Sequence, residues 1–461
     1  MLRPSSASDP GDAAADSARP AADLDSVREQ AGPSAPIPPT RSTLAKPSVP
    51  RRAVYDARFA AAYLSNTTLL IAVALLFRFS DFVKALGGDE ARLGWITGIG
   101  TSGAIVMRLV QGNAIDRFGS KGIWFLAMMG YTVSIALHLL IESIDGPWIY
   151  LANLAMAGSL SGAFGASITF VSLRAPADRV TEVIGTLGSS GFLGMAIGPA
   201  LGDLIYGWEG AQRLAEDPAA RLEAVRRLFV ASTCFAALSW GSAVLATWGT
   251  RAKVPSARRR PPGWRILLRY QPGTLLAVSV AMGAGIGLLQ VYVRPFAESL
   301  GIERLRAFFL VYALTAFGVR MATRTWPARF GEVRMILIGL GTLAAAMIAF
   351  LAVRTETGMI LPAVVAGTAH ALLFPAVVAS GCAAFPSRYR GLATTLVLAS
   401  FDLGNLIGRP LCGQLVIRFG TDGGPGFPVM FVTVAALLSL TAACYAWLPR
   451  RRLRWSARAA A

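Results

Sequence analysis

The sequence predicts an all-α membrane protein of twelve transmembrane helices, arranged as two pseudo-symmetric six-helix bundles. Three observations predict it: a composition too apolar for a water-exposed surface, apolar runs of bilayer length along nearly the whole chain, and an internal repeat relating the two halves. Hydrophobic residues make up 54% of the 461 positions and charged residues only 15%. Soluble domains carry about 25% charged residues, so water is not the main solvent of this chain.

A helix that crosses a bilayer needs roughly 20 apolar residues. Such runs recur over residues 59–448, with short polar breaks, at about 33 residues per span and connection. Backbone amides in hydrocarbon must bond within their own segment, and the runs are too long and uniformly apolar for barrel strands, so they are helices. The expected spans are 59–83, 93–110, 122–141, 148–173, 180–206, 228–249, 273–296, 307–321, 335–353, 358–382, 392–416 and 427–448. They define an N-terminal bundle at 55–250, a central loop at 251–272 and a C-terminal bundle at 273–449. Residues 1–54, rich in Ala, Pro, Ser and Asp and without an apolar signal core, read as a disordered tail; residues 450–461 form a basic tail.

The formal charge of +18 does not mark a nucleic-acid binder, because the basic residues sit at the ends of apolar runs. The central loop carries Arg251, Lys253, Arg258, Arg259, Arg260, Arg265 and Arg269, and the C-terminal tail adds Arg450, Arg451, Arg452, Arg454 and Arg458. The connection after the third helix has no Lys or Arg, and the one after the fifth mixes both signs. The positive-inside rule therefore puts both termini in the cytoplasm of a multi-pass protein of the cell inner membrane. Cys234, Cys382, Cys412 and Cys444 each sit alone in a separate apolar segment, which predicts neither a metal site nor a disulfide framework. No cofactor is expected, and the absence of GxxxxGKS/T argues against ATP-driven pumping.

The repeat sets residues 107–123 against 319–335, a spacing of 212, with Arg108 on Arg320, Arg117 on Arg329, Phe118 on Phe330 and Gly119 on Gly331. DFVKALG at 81–87 aligns with PFAESLG at 295–301. LGMAIGPALGDL in helix five aligns with LGNLIGRPLCGQL in helix eleven once Arg409 is inserted, so that Gly194, Gly198, Pro199 and Gly202 meet Gly404, Gly408, Pro410 and Gly413. Parallel halves of this kind are a transporter architecture, with solute bound between them near the bilayer midplane.

Gly112, Asp116, Arg117, Gly119 and Lys121, in the connection after helix two, resemble the GxxxDRxGxR/K signature of the major facilitator superfamily. A positive-inside loop explains the two cations but not the glycines and the acid at this spacing. The resemblance implies a gate at Asp116 and Arg117, and a second-half copy at Arg329 and Gly331 that lacks the acid. In helix five, Gly185, Gly194, Gly198, Pro199 and Gly202 are similar to the glycine motif of the superfamily's proton-coupled exporters, departing from it at Asp203. Small residues three and four apart allow close helix packing, and Pro199 removes a backbone bond. The resemblance spans residues 59–448.

By analogy with that superfamily, helices one, four, seven and ten line the cavity, offering Asn66, Thr67, Asn153, Ser159, Ser161, Gln290, Tyr292 and Thr368. Few are charged, which favours a neutral, amphipathic or weakly basic small-molecule substrate. Intramembrane ionisable groups mark function by default, so Asp402 and His370 are the expected proton-coupling residues, with protons as the coupling ion. Asp402 has Arg409 or Arg320 as its expected structural partner; those two arginines and Arg108 are expected to pair across helices, and Arg78 with Asp81 along helix one. His138 reads as structural. The predicted function is alternating-access transport, with proton-coupled efflux by antiport set against uptake by symport. A membrane-embedded enzyme lacks the needed His, Asp or Cys cluster, and a sensor lacks an added folded domain. The chain reads as a monomer in the lipid bilayer, with no nucleic-acid partner.

Overall fold

The computed structural model describes residues 55–176, 179–207, 217–250, 266, 269–270, 272–323, 326–386, 389–420 and 426–447. The expected tails and most of the basic central loop lie outside the described residues, as does the side chain of Asp116. The described chain is helical, without a strand, and twelve long helices account for it. In the first half these are α1 (Ala57–Ala85), α2 (Glu90–Ile115), α3 (Arg117–Leu140), α4 (Trp148–Arg174), α5 (Val180–Tyr206) and α6 (Pro218–Thr247). In the second they are α7 (Thr274–Ser299), α8 (Arg306–Ala322), α9 (Glu332–Phe350), α10 (Ile360–Ala383), α11 (Arg390–Arg418) and α12 (Phe427–Trp447).

Eleven of them are long and apolar enough to cross a membrane. The exception, α8, has 17 residues. That is about 26 Å of helix, at the short end of the range for a span. It packs between α5 and α10. Helix α6 begins well before the expected residue 228, because Asp217 caps it by accepting a bond from Ala219 N at 2.8 Å and Pro218 suits a first turn. Its extra turns carry Arg221, Glu223, Arg226 and Arg227, which hydropathy alone assigns to a loop.

The internal repeat is visible in the backbone. Gly119 breaks the helical run between α2 and α3 at φ 78° and ψ 154°, and its counterpart Gly331 stands at φ 81° and ψ 147° before α9. That region is essentially closed to residues with a side chain. Gly87 after α1 and Gly301 after α7, the last residues of the second aligned pair, also share positive φ, 83° and 71°. In the third pair, Gly194 and Gly198 of α5 lie against Leu70 and Ala74 of α1, while Gly404 and Gly408 of α11 lie against Val280 and Ala284 of α7. Equivalent glycines thus seat equivalent helices. The halves meet along α2 with α11 and along α5 with α8.

Candidate functional site

Between the halves lies a cavity of about 340 Å³. Helical periodicity explains its polar lining. Thr97, Thr101 and Arg108 fall on one face of α2 at spacings of four and seven, and Asp402, Asn405 and Arg409 on one face of α11 at spacings of three and four. Asn153 and Ser161 come from α4 and Gln290 from α7, while Phe77, Tyr131, Phe164 and Phe401 supply apolar walls.

Arg108 of α2 donates through Nε to Asp402 Oδ2 of α11, an ion pair joining the two halves. This corrects the expected partner of Asp402, which is neither Arg409 nor Arg320. Arg409 instead spreads its guanidinium over neutral oxygens: Nη1 donates to Thr97 O at 3.3 Å and Thr101 Oγ1 at 3.2 Å, and Nη2 to Gln290 Oε1 at 3.3 Å. Its buried Nε has no hydrogen-bond partner, and neither do Asn405 Oδ1 and Ser161 Oγ, on residues only 3% and 4% exposed. Asn405 fits because it faces Gly287 of α7, where a Cβ would occupy the place of its Oδ1.

Three of the eight expected cavity residues line this space: Asn153, Ser161 and Gln290. Asn153 is set by His138. The tautomer that satisfies both contacts has Nδ1 donating to Ser134 O at 2.8 Å and Nε2 accepting from Asn153 Nδ2 at 3.2 Å. His138 is fully buried and stacks on Phe229, as a structural histidine should.

The other five are used elsewhere. Asn66 donates to Ser190 Oγ between α1 and α5, and Thr67 returns a bond to Tyr63 O. Ser159 packs where Gly130 of α3 leaves room, and Thr368 bonds Val364 O of its own helix. Tyr292 is buried at the crossing of the halves, its hydroxyl donating to Arg409 O at 2.6 Å and approaching Glu90 O at 3.3 Å. Charge therefore enters the cavity from α2 and α11, helices outside the set expected to line it, and this corrects the picture of a nearly uncharged pocket.

His370 lies outside that lining. Its Nδ1 is 2.5 Å from Tyr312 Oη of α8, and Phe192 of α5 and Phe374 flank its ring. Arg320 sits 5.4 Å over the Phe192 ring.

A second polar assembly closes the end of the bundle at the α1 to α2 and α7 to α8 turns. Arg78 donates to Asp81 at 2.9 Å, the pair expected from the sequence, and also to Asp203 of α5 at 2.6 Å and to Glu303 O at 3.1 Å. Arg294 of α7 reaches across to both Asp81 oxygens at 3.4 Å and bonds Glu303 O at 2.7 Å. Lys84 pairs with Glu90 and, across the halves, with Glu298, each at 3.1 Å.

Helix α8 has no cap of its own. Asp203 Oδ2 accepts its first amides, Leu305 N at 3.1 Å and Arg306 N at 3.0 Å. A carboxylate there meets unpaired donors and the positive end of the helix dipole. Sequence reasoning saw Asp203 only as a departure from a glycine motif, and it missed Arg294, Lys84 and Glu298. The rule that flagged Asp402, an ionisable residue in an apolar run, also flags Arg294.

At the opposite end, Arg117 stacks 5.2 Å over Phe118, and Lys121 donates to Thr247 O at 3.1 Å, at the C-terminus of α6. Gly112 and Gly185 have open space around them, and Arg329 is exposed beside Gly331.

Comparison with known proteins adds the following. The family model described as Major Facilitator Superfamily matches residues 59–353 and 325–461. The uncharacterized MFS-type transporter YhhS of Escherichia coli K12 is 24% identical over 369 residues, covering 76% of this chain and 81% of that protein. The multidrug resistance protein MdtG of Serratia proteamaculans is 24% identical over 347 residues, covering 74% and 80%. Among solved structures, the nucleoside transporter NupG superposes with a TM-score of 0.66 at 13% identity, covering 85% of this chain and 98% of that one. The D-xylose-proton symporter gives 0.63 at 14% identity, with 85% and 96% coverage.

Proposed function

Because the chain belongs to the Major Facilitator Superfamily, we propose that it is a proton-coupled secondary transporter in which the central cavity holds the solute and Asp402 the proton. The observation that carries this is the Arg108/Asp402 ion pair, which bridges the halves inside the cavity. A proton on Asp402 removes the charge that holds Arg108, so one event loosens a bond between halves that must rock apart. His370, bonded to Tyr312 away from the cavity, takes second place as a coupling group and anchors α10 to α8.

If the basic central loop faces the cytoplasm, as the positive-inside rule has it, the latch around Arg78, Asp203 and Arg294 faces outward and the structure is closed on that side. The gate around Asp116, Arg117 and Lys121 then lies inside. Both termini are cytoplasmic in this arrangement, and the bacterial source of the similar proteins supports an inner-membrane location.

Two couplings remain in play. Export in exchange for protons is supported by the glycines of helix five and by the 24% likeness to a protein named for multidrug resistance. Proton symport is supported by the cavity itself: a proton on Asp402 leaves two arginines, Arg108 and Arg409, and an anion is then held more strongly, so proton and solute favour each other.

The test is full-length protein in liposomes under an imposed pH gradient, with labelled carboxylate, alcohol and amine solutes and a lumenal pH dye. Asp402→Asn is expected to lose gradient-driven accumulation yet keep solute exchange, while His370→Gln keeps both. Accumulation that survives in Asp402→Asn removes Asp402 from the coupling, and the sign of the dye response separates antiport from symport.

A further inference from the structure

The charges of the cavity are unequal. Its lining holds two arginines and one carboxylate, and that carboxylate is committed to Arg108. Arg409 has no carboxylate partner among the described residues. Its hydrogen bonds, all to neutral oxygens, are 3.2 and 3.3 Å long, against about 2.7–2.9 Å for a guanidinium on a carboxylate. A guanidinium keeps its charge at any accessible pH, so the excess is permanent. Arg409 is partly buried and shares Asp402 with Arg108 only at longer range; a charge so under-compensated is costly, and so are buried polar atoms without partners. Three such atoms belong to residues that line the one cavity: Arg409 Nε, Asn405 Oδ1 and, from the opposing half, Ser161 Oγ.

We infer that the solute is an amphipathic organic monoanion, a carboxylate whose head group pairs with Arg409 and whose hydrocarbon or aromatic body lies against Phe77, Phe164 and Phe401. This rests on reading the central cavity as the transport site. It replaces the neutral or weakly basic solute expected from helices one, four, seven and ten alone. An amine head would place a second cation beside an unpaired arginine. While Asp402 is ionised Arg108 is paired with it, so Arg409 alone is free, and it matches one carboxylate. Phe77, Phe164 and Phe401 fit an apolar body. The Ser161 hydroxyl supplies one neutral donor from the other half, so a bound carboxylate touches both bundles, as a solute that moves with them must.

The test uses three probes with one body and different heads: 4-phenylbutyrate, 4-phenylbutan-1-ol and 4-phenylbutylamine. Binding to the purified full-length protein is measured by calorimetry and by thermal shift at fixed pH and salt. The carboxylate is expected to bind at least about tenfold tighter than the alcohol, the size of a charge-assisted hydrogen bond. The amine is expected to bind weakest. Arg409→Gln should erase the preference of carboxylate over alcohol, and Arg409→Lys should keep part of it. Should Arg409→Gln fail to fold, the order of the three probes on the unaltered protein still decides. An amine that binds as well as the carboxylate, no binding by the carboxylate at millimolar concentration, or a preference that persists in Arg409→Gln overturns the inference. The liposome assay separates this from the transport reading. A solute other than an anion driven by the gradient sinks the anion and keeps the transporter; anion binding without gradient-driven movement does the reverse.

Discussion

The latch and the cavity use the same side chains to opposite ends. At the latch, Arg78 reaches Asp81, Asp203 and a carbonyl, Arg294 reaches Asp81 and two carbonyls, and Asp203 accepts from Arg78 and from the two amides that open α8. Every buried charge there has several partners. In the cavity, Asp402 has one arginine and Arg409 has only neutral oxygens. A fully satisfied network is stiff and resists opening, whereas an under-satisfied one has capacity for a ligand or a proton. The satisfied network lies at one end of the bundle and the under-satisfied one in the cavity between the halves.

Asp402→Asn attacks the cavity pair and carries the largest expected effect, a loss of gradient-driven transport of at least about 100-fold, since truncating a buried ion pair costs about 3 kcal/mol or more. Initial rates under a pH gradient measure it, and a decline under threefold would erase the contrast with the latch.

Asp203→Ala attacks the latch. It takes one of two carboxylates from Arg78 and leaves two helix-opening amides without an acceptor, so the closed form should lose about 2–3 kcal/mol, a shift of roughly 30- to 150-fold toward opening. Spin labels at positions 86 and 300, at the ends of α1 and α7, should show a longer distance; an unchanged distribution would mean that Asp203 is not part of the lock. Gly119→Ala and Gly331→Ala probe the hinge that the halves share and should each cost about 1–3 kcal/mol through positive φ. Unequal losses in thermal unfolding would break the equivalence of the two turns. Lys84→Ala removes a partly exposed member of the latch and should change little, within about 1 kcal/mol. A larger shift in the same spin-label distances would move the centre of the lock from Asp203 to Lys84.

The ion pair of Arg78 with Asp81 was legible because the partners are three residues apart, within one helical turn. The two positive-φ turns at Gly119 and Gly331 were legible as glycines at matching places in a repeat. Asp203 was not, because its partners come from α1 and from the start of α8, and no local pattern marks a carboxylate that caps a helix of the other half. The five cavity candidates that turned elsewhere illustrate the same limit. Helix number can be read from an apolar run, but which face meets which neighbour depends on rotation and crossing angle, as with Tyr292, drawn to Arg409 O and away from solute.

What the sequence determined by itself is local or periodic: spans of bilayer length, the charge asymmetry of the connections, two related halves, and glycines where helices approach or the chain turns. Bilayer thickness and backbone hydrogen bonding act along a single segment, so they leave their mark in order along the chain. The tertiary structure decided the pairings between halves. Asp402 meets an arginine 294 positions away, and Asp81 one 213 positions away. Such pairs form only when two bundles pack, because a buried charge takes whatever counter-charge the packed surfaces bring within reach.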